Sequence, residues 1–424
     1  MHRSRNGLVA RFARAGTALA GALAVLVLAG TGPASAQDGK PVRLVSHRYP
    51  ALEFYADKMK SALPGVTVTT DLMPNAQAAE LQTITLSSGS DSIDILWGND
   101  LTITNFAANG WLEPLDEFFE KYKDEFNLDD IAPAALNAVS YNGKKYALPI
   151  LTNTMLFAYR EDVLKDKGLA PPASFEDYEK AAKALHSPAM AGTVMTLKGE
   201  GTMNEAHWYL TAIGDGWFDK DGKPVFNSPN GVKAIETMKR MAQYAPRGYT
   251  ANGNDESTIL FQQGAAAMGL QWLTRTAAME NPQQSRVVGK MNWVAPPGGK
   301  QIVVADSYAI SKFSSKDKDT LFRLLATTLS AANQREGADR AVPTRISVLQ
   351  DPELQQRFRY YKVLVPALQD GTSFPKFPEF KEVSELVSRR IVQAVTGEMP
   401  VQEALDTGAK EAEEFLTRRG FYKK

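Results

Sequence analysis

Cysteine is missing from all 424 residues of this chain, which excludes disulfides, thiolate nucleophiles and Cys-based metal sites together. Histidine is scarce, with four copies, and none stands at the His-Glu-x-x-His spacing of a zinc site. No Gly-x-Ser-x-Gly elbow and no phosphate loop ending in Gly-Lys-Ser/Thr occurs. Aspartate and glutamate are too numerous for one pair to stand out as the acid and base of a glycosidase. An excess of charge is lacking too, since 48 basic side chains meet 48 acidic ones. Without a basic field there is no electrostatic footprint for nucleic acid or an anionic membrane. Repeats and low-complexity tracts are absent, which argues against an adhesin, a scaffold or a disordered tail. Together these absences favour a protein that performs no chemistry and holds no cofactor and no metal.

Long apolar runs are missing as well. The longest, from about Ala18 to Ala29, is rich in Gly and Ala and falls short of the roughly 20 residues a membrane span needs. Arg3, Arg5, Arg11 and Arg14 precede it, and Ala34-Ser35-Ala36 follows. A basic start, a short apolar core and small residues form the pattern of a cleavable secretory signal, here residues 1–36. The working protein is therefore expected to begin near Gln37, outside the cytoplasm, in the periplasm. With no cysteine after the apolar run, lipid attachment there is excluded. Removing four arginines and no acid leaves a weakly acidic mature chain. Its length exceeds what one hydrophobic core serves and suits two lobes. Apolar residues at 44% and aromatics at 9% are enough to fold it.

Patterning supplies the elements. Val42–Val45 reads as a strand, Ala51–Leu63 as a helix stopped by Pro64-Gly65, and Val66–Thr69 as a β-branched strand. Ala76–Ser87 is helical and Ile93–Trp97 is an apolar core strand. Alternation of this kind predicts a parallel sheet flanked by helices, with ligands at the strand ends. Helices are expected near Thr102–Asn109 and Glu117–Phe126, and a hairpin at Tyr141–Tyr146 with Asn142-Gly143 in its turn. The strand Met155–Arg160 starts a second lobe with helices at Phe175–His186, Glu205–Ile213, Asn230–Tyr244 and Glu256–Gln263. Pro296-Pro297-Gly298-Gly299 is the sharpest later break and reads as the return crossing between lobes.

Several segments, taken in order, resemble the extracellular solute-binding proteins of bacterial ABC importers, the group with sugar and polyol binders. They are Ser92–Trp97 followed by Phe106–Leu115, then Tyr141–Pro149 leading to Leu156–Arg160. Phe261–Met268 with Gly269 and Trp272 follows, then Ala309–Lys312 and Ala341–Arg345. The resemblance implies a hinged, two-lobed α/β periplasmic-binding-protein fold with the ligand cleft between lobes. One lobe would comprise residues 37–150 and 301–350. The other would comprise 151–300 and 351–424, the C-terminal part folding back on the second lobe. It further implies a monomer that captures a carbohydrate or polyol and delivers it to membrane permease subunits. A secreted glycosidase-like enzyme on a similar ligand is the alternative.

Sugars present hydroxyls and apolar C–H faces, so a site wants aromatic faces beside carboxylates, amides or guanidinium groups. Trp97, Asn99 and Asp100 sit past a core strand, either at ligand or as packing and helix cap. Thr152, Asn153 and Thr154 lie at the first lobe crossing, as ligand contacts or a hinge turn. Gln271 and Trp272 close their motif, with Trp272 in the family's stacking position. Asp306 and Tyr308 stand where the family often carries a glycine-rich segment. Arg345 forks onto hydroxyls or an acidic ligand group, or else forms a structural ion pair; with an anionic ligand it and Arg48 are the first suspects. His47 and Tyr49 end the first strand. Trp208 is preferred to Trp217 as a second-lobe contact, and Trp111 and Trp293 are assigned to packing.

Overall fold

The computed structural model describes residues 40–423. The expected signal segment lies outside the described residues. The first half begins with β1 (Val42–His47), α1 (Pro50–Lys60), β2 (Val68–Met73), α2 (Asn75–Ser87), β3 (Ile95–Asn99) and α3 (Asp100–Ala108). Next come α4 (Asp116–Tyr122), α5 (Pro133–Ala138) and a hairpin of β4 (Ser140–Tyr141) and β5 (Lys144–Lys145). Its turn residues Asn142 and Gly143 both have positive φ, 48° and 76°. That is the paired left-handed geometry which Asn-Gly supplies with little strain.

A long strand, β6 (Ala147–Arg160), then carries the chain across. It leads to α6 (Glu161–Asp166), α7 (Phe175–Leu185), α8 (Glu200–Ala212), α9 (Pro229–Ala242) and α10 (Asn254–Gln262). The short β7 (Met268–Trp272), α11 (Thr276–Met279) and β8 (Met291–Val294) follow, and β9 (Val303–Ile310) brings the chain back. Five shorter helices come next: α12 (Lys318–Thr328), α13 (Ala331–Glu336), α14 (Ile346–Leu349), α15 (Pro352–Arg357) and α16 (Tyr361–Asp370). The long pair α17 (Phe380–Thr396) and α18 (Val401–Arg418) ends the chain.

Strand order is β2-β1-β3-β9-β6-β7, with β8 also on β6. The β2-β1-β3 part is parallel, as the helix–strand alternation predicts. β9, however, runs antiparallel to both β3 and β6. It re-enters from the far end of β6, so it runs against the strands it joins. β6 pairs with β9 along Ala147–Thr154 and with β7 and β8 beyond Met155. One nearly continuous buried apolar strand thus serves two strand sets.

Two large cores flank it. One holds Leu44, Leu52, Ile95, Leu148 and Phe322, and the other Phe157, Tyr178, Trp208, Met238 and Val387. The C-terminal segment divides between them. α17 and α18 pack on α8 and α9, whereas α16 packs on α5 and places Tyr361, Leu364 and Leu368 in the first core. Residues after Asp351 therefore do not all fold on the second half, because the apolar stripe of α16 finds its partner on α5.

The second core encloses two titratable groups on α8. Glu205 Oε1 accepts the Thr196 N–H and hydroxyl, each at 3.1 Å, and burial pushes its carboxyl up to about 8. His207 Nδ1 accepts the Trp217 indole N–H at 3.1 Å, and burial holds the ring down to about 3. The raised Glu205 contributes stability that is present below its unfolded value near 4.5 and lost as pH rises through about 8. The depressed His207 works in the opposite sense, losing its contribution as pH falls from about 6.5 towards 3. Above about pH 7.5 His207 is neutral folded and unfolded. Glu205 should contribute a loss of about 1–2 kcal/mol to the free energy of unfolding between about pH 6.5 and 8.5, a window in which Asp100 and Lys376 also titrate. Glu205→Gln, which keeps the acceptor, should remove that share of the pH dependence; an unchanged slope in the variant would reject this assignment.

Candidate binding site

The C-terminal end of β3, the middle of β9 and the crossing part of β6 meet at one point. Asp306 is registered opposite Asn99 on one side and Leu151 on the other. Beside it opens a cavity of about 830 Å³. Tyr49, Asn99, Asp100, Asn153, Trp272 and Asp306 all line it, so six of the fourteen residues singled out in the sequence come together here.

Local structure explains their placement. Tyr49 is the N-cap residue of α1, which Pro50 opens, and its hydroxyl donates to Asp306 Oδ2. Asn99 caps α3 by accepting the Thr102 N–H at 2.9 Å, so its helix-cap role and its place on the cavity coexist. Asp100, in the first turn of α3, is buried. Withdrawal from water pushes Asp100 up to about 7, opposed by Lys376 and reinforced by the neighbouring Asp306. The same desolvation raises Asp306 to about 6, against the pull of the Tyr49 hydroxyl and the Trp97 indole. Trp272 ends β7 opposite Met155 and stays partly exposed.

The remaining eight residues are placed elsewhere. His47 lies behind the site, its ring 5.1 Å from Tyr49 and 5.2 Å from Trp97. Trp97 and Tyr308 are buried in the first core, since both alternate to the inner face of their strands. The Thr152 hydroxyl donates to the Pro343 carbonyl at 3.3 Å and Thr154 to the Ile302 carbonyl at 2.6 Å. They fasten β6 to its neighbours, and only Asn153 between them, on the opposite face, lines the cavity. Gln271 donates to the Ser257 hydroxyl at 2.9 Å. Trp208 stacks on Phe175 at 4.9 Å and donates to the Pro297 carbonyl at 3.0 Å, so it is a core residue. Trp217 is buried with it in the second core. Arg345, 2% exposed, donates to the Leu329 and Asn127 carbonyls at 3.1 and 2.7 Å and lies 3.8 Å from Asp130. Arg48 is exposed and off the cavity.

Other cavity residues escaped sequence reasoning. Trp293, expected to pack, is 3% exposed but lines the cavity, and its indole N–H has no partner. Asn153 Oδ1 is likewise buried without a partner. Asn204 on α8, Asn254 opening α10, and Phe374 and Tyr360 add amides and rings. Arg357 pairs with Asp339, and Arg359 pairs with Glu280 at 2.9 Å. None of these additional residues ends an apolar run or falls in the motifs that pointed to the others, so nothing in the sequence signalled them. Amides, carboxyls and indoles around a cavity of this size suit a small polar solute with apolar faces.

The family model for bacterial extracellular solute-binding proteins matches residues 47–335. A periplasmic-binding protein of a probable amino-acid ABC transporter from Sinorhizobium fredii is 28% identical over 70% of each chain. The mannitol-binding protein of Pseudomonas aeruginosa is 25% identical over 84% of each chain. An ABC transporter solute-binding protein from Agrobacterium radiobacter, solved in complex with ribitol, superposes with a TM-score of 0.74 at 25% identity, covering 89% of this chain and 99% of its own. The fold is accordingly the two-lobed one of periplasmic binding proteins.

Proposed function

Because this chain belongs to the bacterial extracellular solute-binding proteins, we propose that its cavity captures a carbohydrate or polyol and hands it to an ABC permease. The family is one of binding proteins rather than enzymes, and its relatives serve ABC importers outside the cytoplasm. The Pseudomonas relative is named for mannitol and the Agrobacterium structure holds ribitol, both acyclic polyols. A small polyol is therefore the first ligand class to test. The observation that carries this reading is the cavity itself. Asp306, Asn99, Asn153, Trp272 and Trp293 all line it. The unpartnered Trp293 N–H and Asn153 Oδ1 await hydrogen-bonding groups that a hydroxylated solute would bring.

The working protein is a secreted periplasmic monomer, released from residues 1–36, in this reading. Its lobes are 37–150 with 301–350, extended by α16, and 151–300 with the segment from α17 onward. Closure over the solute follows from contacts made by both lobes, which favour the closed form by their differential affinity. A dissociation constant near micromolar, about −8 kcal/mol, is expected. At a hundredfold excess over that constant the solute adds about 2.7 kcal/mol of stability. Thermal-shift screening and calorimetry against ribitol, mannitol and common sugars check this. Stabilisation by one of them without its turnover supports the reading, whereas product formation, or no shift with any, defeats it.

A further inference from the structure

We infer that Asp306 and Asp100 make this site selective for uncharged solutes over their anionic counterparts, so that it takes polyols and rejects sugar acids and sugar phosphates. The inference rests on the polyol reading above and goes further by assigning the charge of the ligand and the residues that set it. Both carboxyls line the cavity. Asp306 lies close enough for its charge to raise Asp100. Tyr49 turns its hydroxyl onto Asp306 Oδ2, which holds that carboxyl at the meeting point of β3, β6 and β9.

Two of the three cations in the cavity wall are already engaged by acids. Arg357 is engaged by Asp339 and Arg359 by Glu280, both acids being part of the same lining. Arg340 lies over the Phe54 ring at 5.1 Å. Lys376, the cation that Asp100 feels, donates to the Ser140 carbonyl at 3.0 Å. Arg345, whose guanidinium would suit an acidic ligand, is buried elsewhere on backbone carbonyls. A hydroxyl can donate to a carboxylate. A carboxylate or phosphate on the ligand can only accept, and it adds like charge where water is largely excluded. Discrimination of this kind arises from a repulsive group as much as from an attractive one. For like charges about 5 Å apart it should reach on the order of 100-fold.

Calorimetry on the mature protein at pH 8 tests this with matched pairs: ribitol against ribonate, and mannitol against mannonate and mannitol 1-phosphate. The expected result is that a polyol binds and its acid or phosphate binds at least about 100-fold more weakly. Asp306→Asn, which keeps an acceptor, should narrow that gap about tenfold or more while its polyol affinity falls less. Asp100→Asn serves as the second variant should Asp306→Asn fail to fold, and the wild-type comparison needs neither. Polyol and acid binding within threefold of each other in the wild type would overturn the selectivity and leave the polyol reading standing. Failure of every polyol and sugar to bind would remove both.

Discussion

Arg345→Ala should lower the free energy of unfolding by about 3–5 kcal/mol and leave solute affinity of the folded protein unchanged. The guanidinium is buried, and it joins two separate stretches: Leu329 after α12, and the segment before α5 that carries Asn127 and Asp130. Removing it leaves the Leu329 carbonyl with the Gln334 amide alone and the Asn127 carbonyl with the Asp130 N–H alone, and leaves the carboxylate of Asp130 with only the Ser347 amide and hydroxyl, at 2.7 and 2.6 Å. Chemical denaturation of the unliganded protein measures the loss. Calorimetry with the best-bound solute measures the affinity. A fall in affinity with stability intact would return Arg345 to the site, against its present placement.

Trp272→Ala is expected to weaken capture of the same solute by about 10–100-fold, with little change in unfolding free energy. An indole covering a sugar or polyol chain buries apolar area worth about 1.5–3 kcal/mol, which converts to that range of affinity. Trp272 ends β7 with part of its surface facing the cavity, so its truncation leaves the strand pairing with β6 in place. Trp272→Phe should recover most of the loss. Trp208→Ala offers the contrast, since that indole is enclosed by Phe175, Tyr178 and Tyr209. It should cost stability rather than affinity. Equal binding by wild type and Trp272→Ala would show that the ring packs and does not stack.

The residues found on the cavity follow a common rule. Tyr49, Asn99, Asp100 and Trp272 stand at the ends of strands or the starts of helices. At such positions a side chain leaves the core while its backbone remains anchored, and the end of an apolar run is visible in the primary structure. Asn153 and Asp306 were reached for a different reason, Asn153 by its place at the first lobe crossing and Asp306 by its place in the family's motif order. The residues misplaced, Thr152, Thr154, Gln271 and Tyr308, are their immediate or near neighbours in the chain. In a strand, adjacent side chains face opposite ways. Only pairing with Pro343, Ile302 and Ser257 shows which face each one takes.

Period, turn chemistry and motif order are local properties, and the primary structure by itself determined them: the alternating first half, the Asn142-Gly143 hairpin, the helices between Phe175 and Gln263, and family membership. Tertiary structure alone decided the rest. The antiparallel return of β9, the attachment of α16 to α5, and the entry of Trp293, Asn204 and Tyr360 into the cavity join residues far apart in the chain. So did the burial of Arg345 among carbonyls from Leu329 and Asn127. Whether a polar side chain meets solute or backbone depends on which distant carbonyl lies within about 3 Å of it, and no neighbouring residue carries that information.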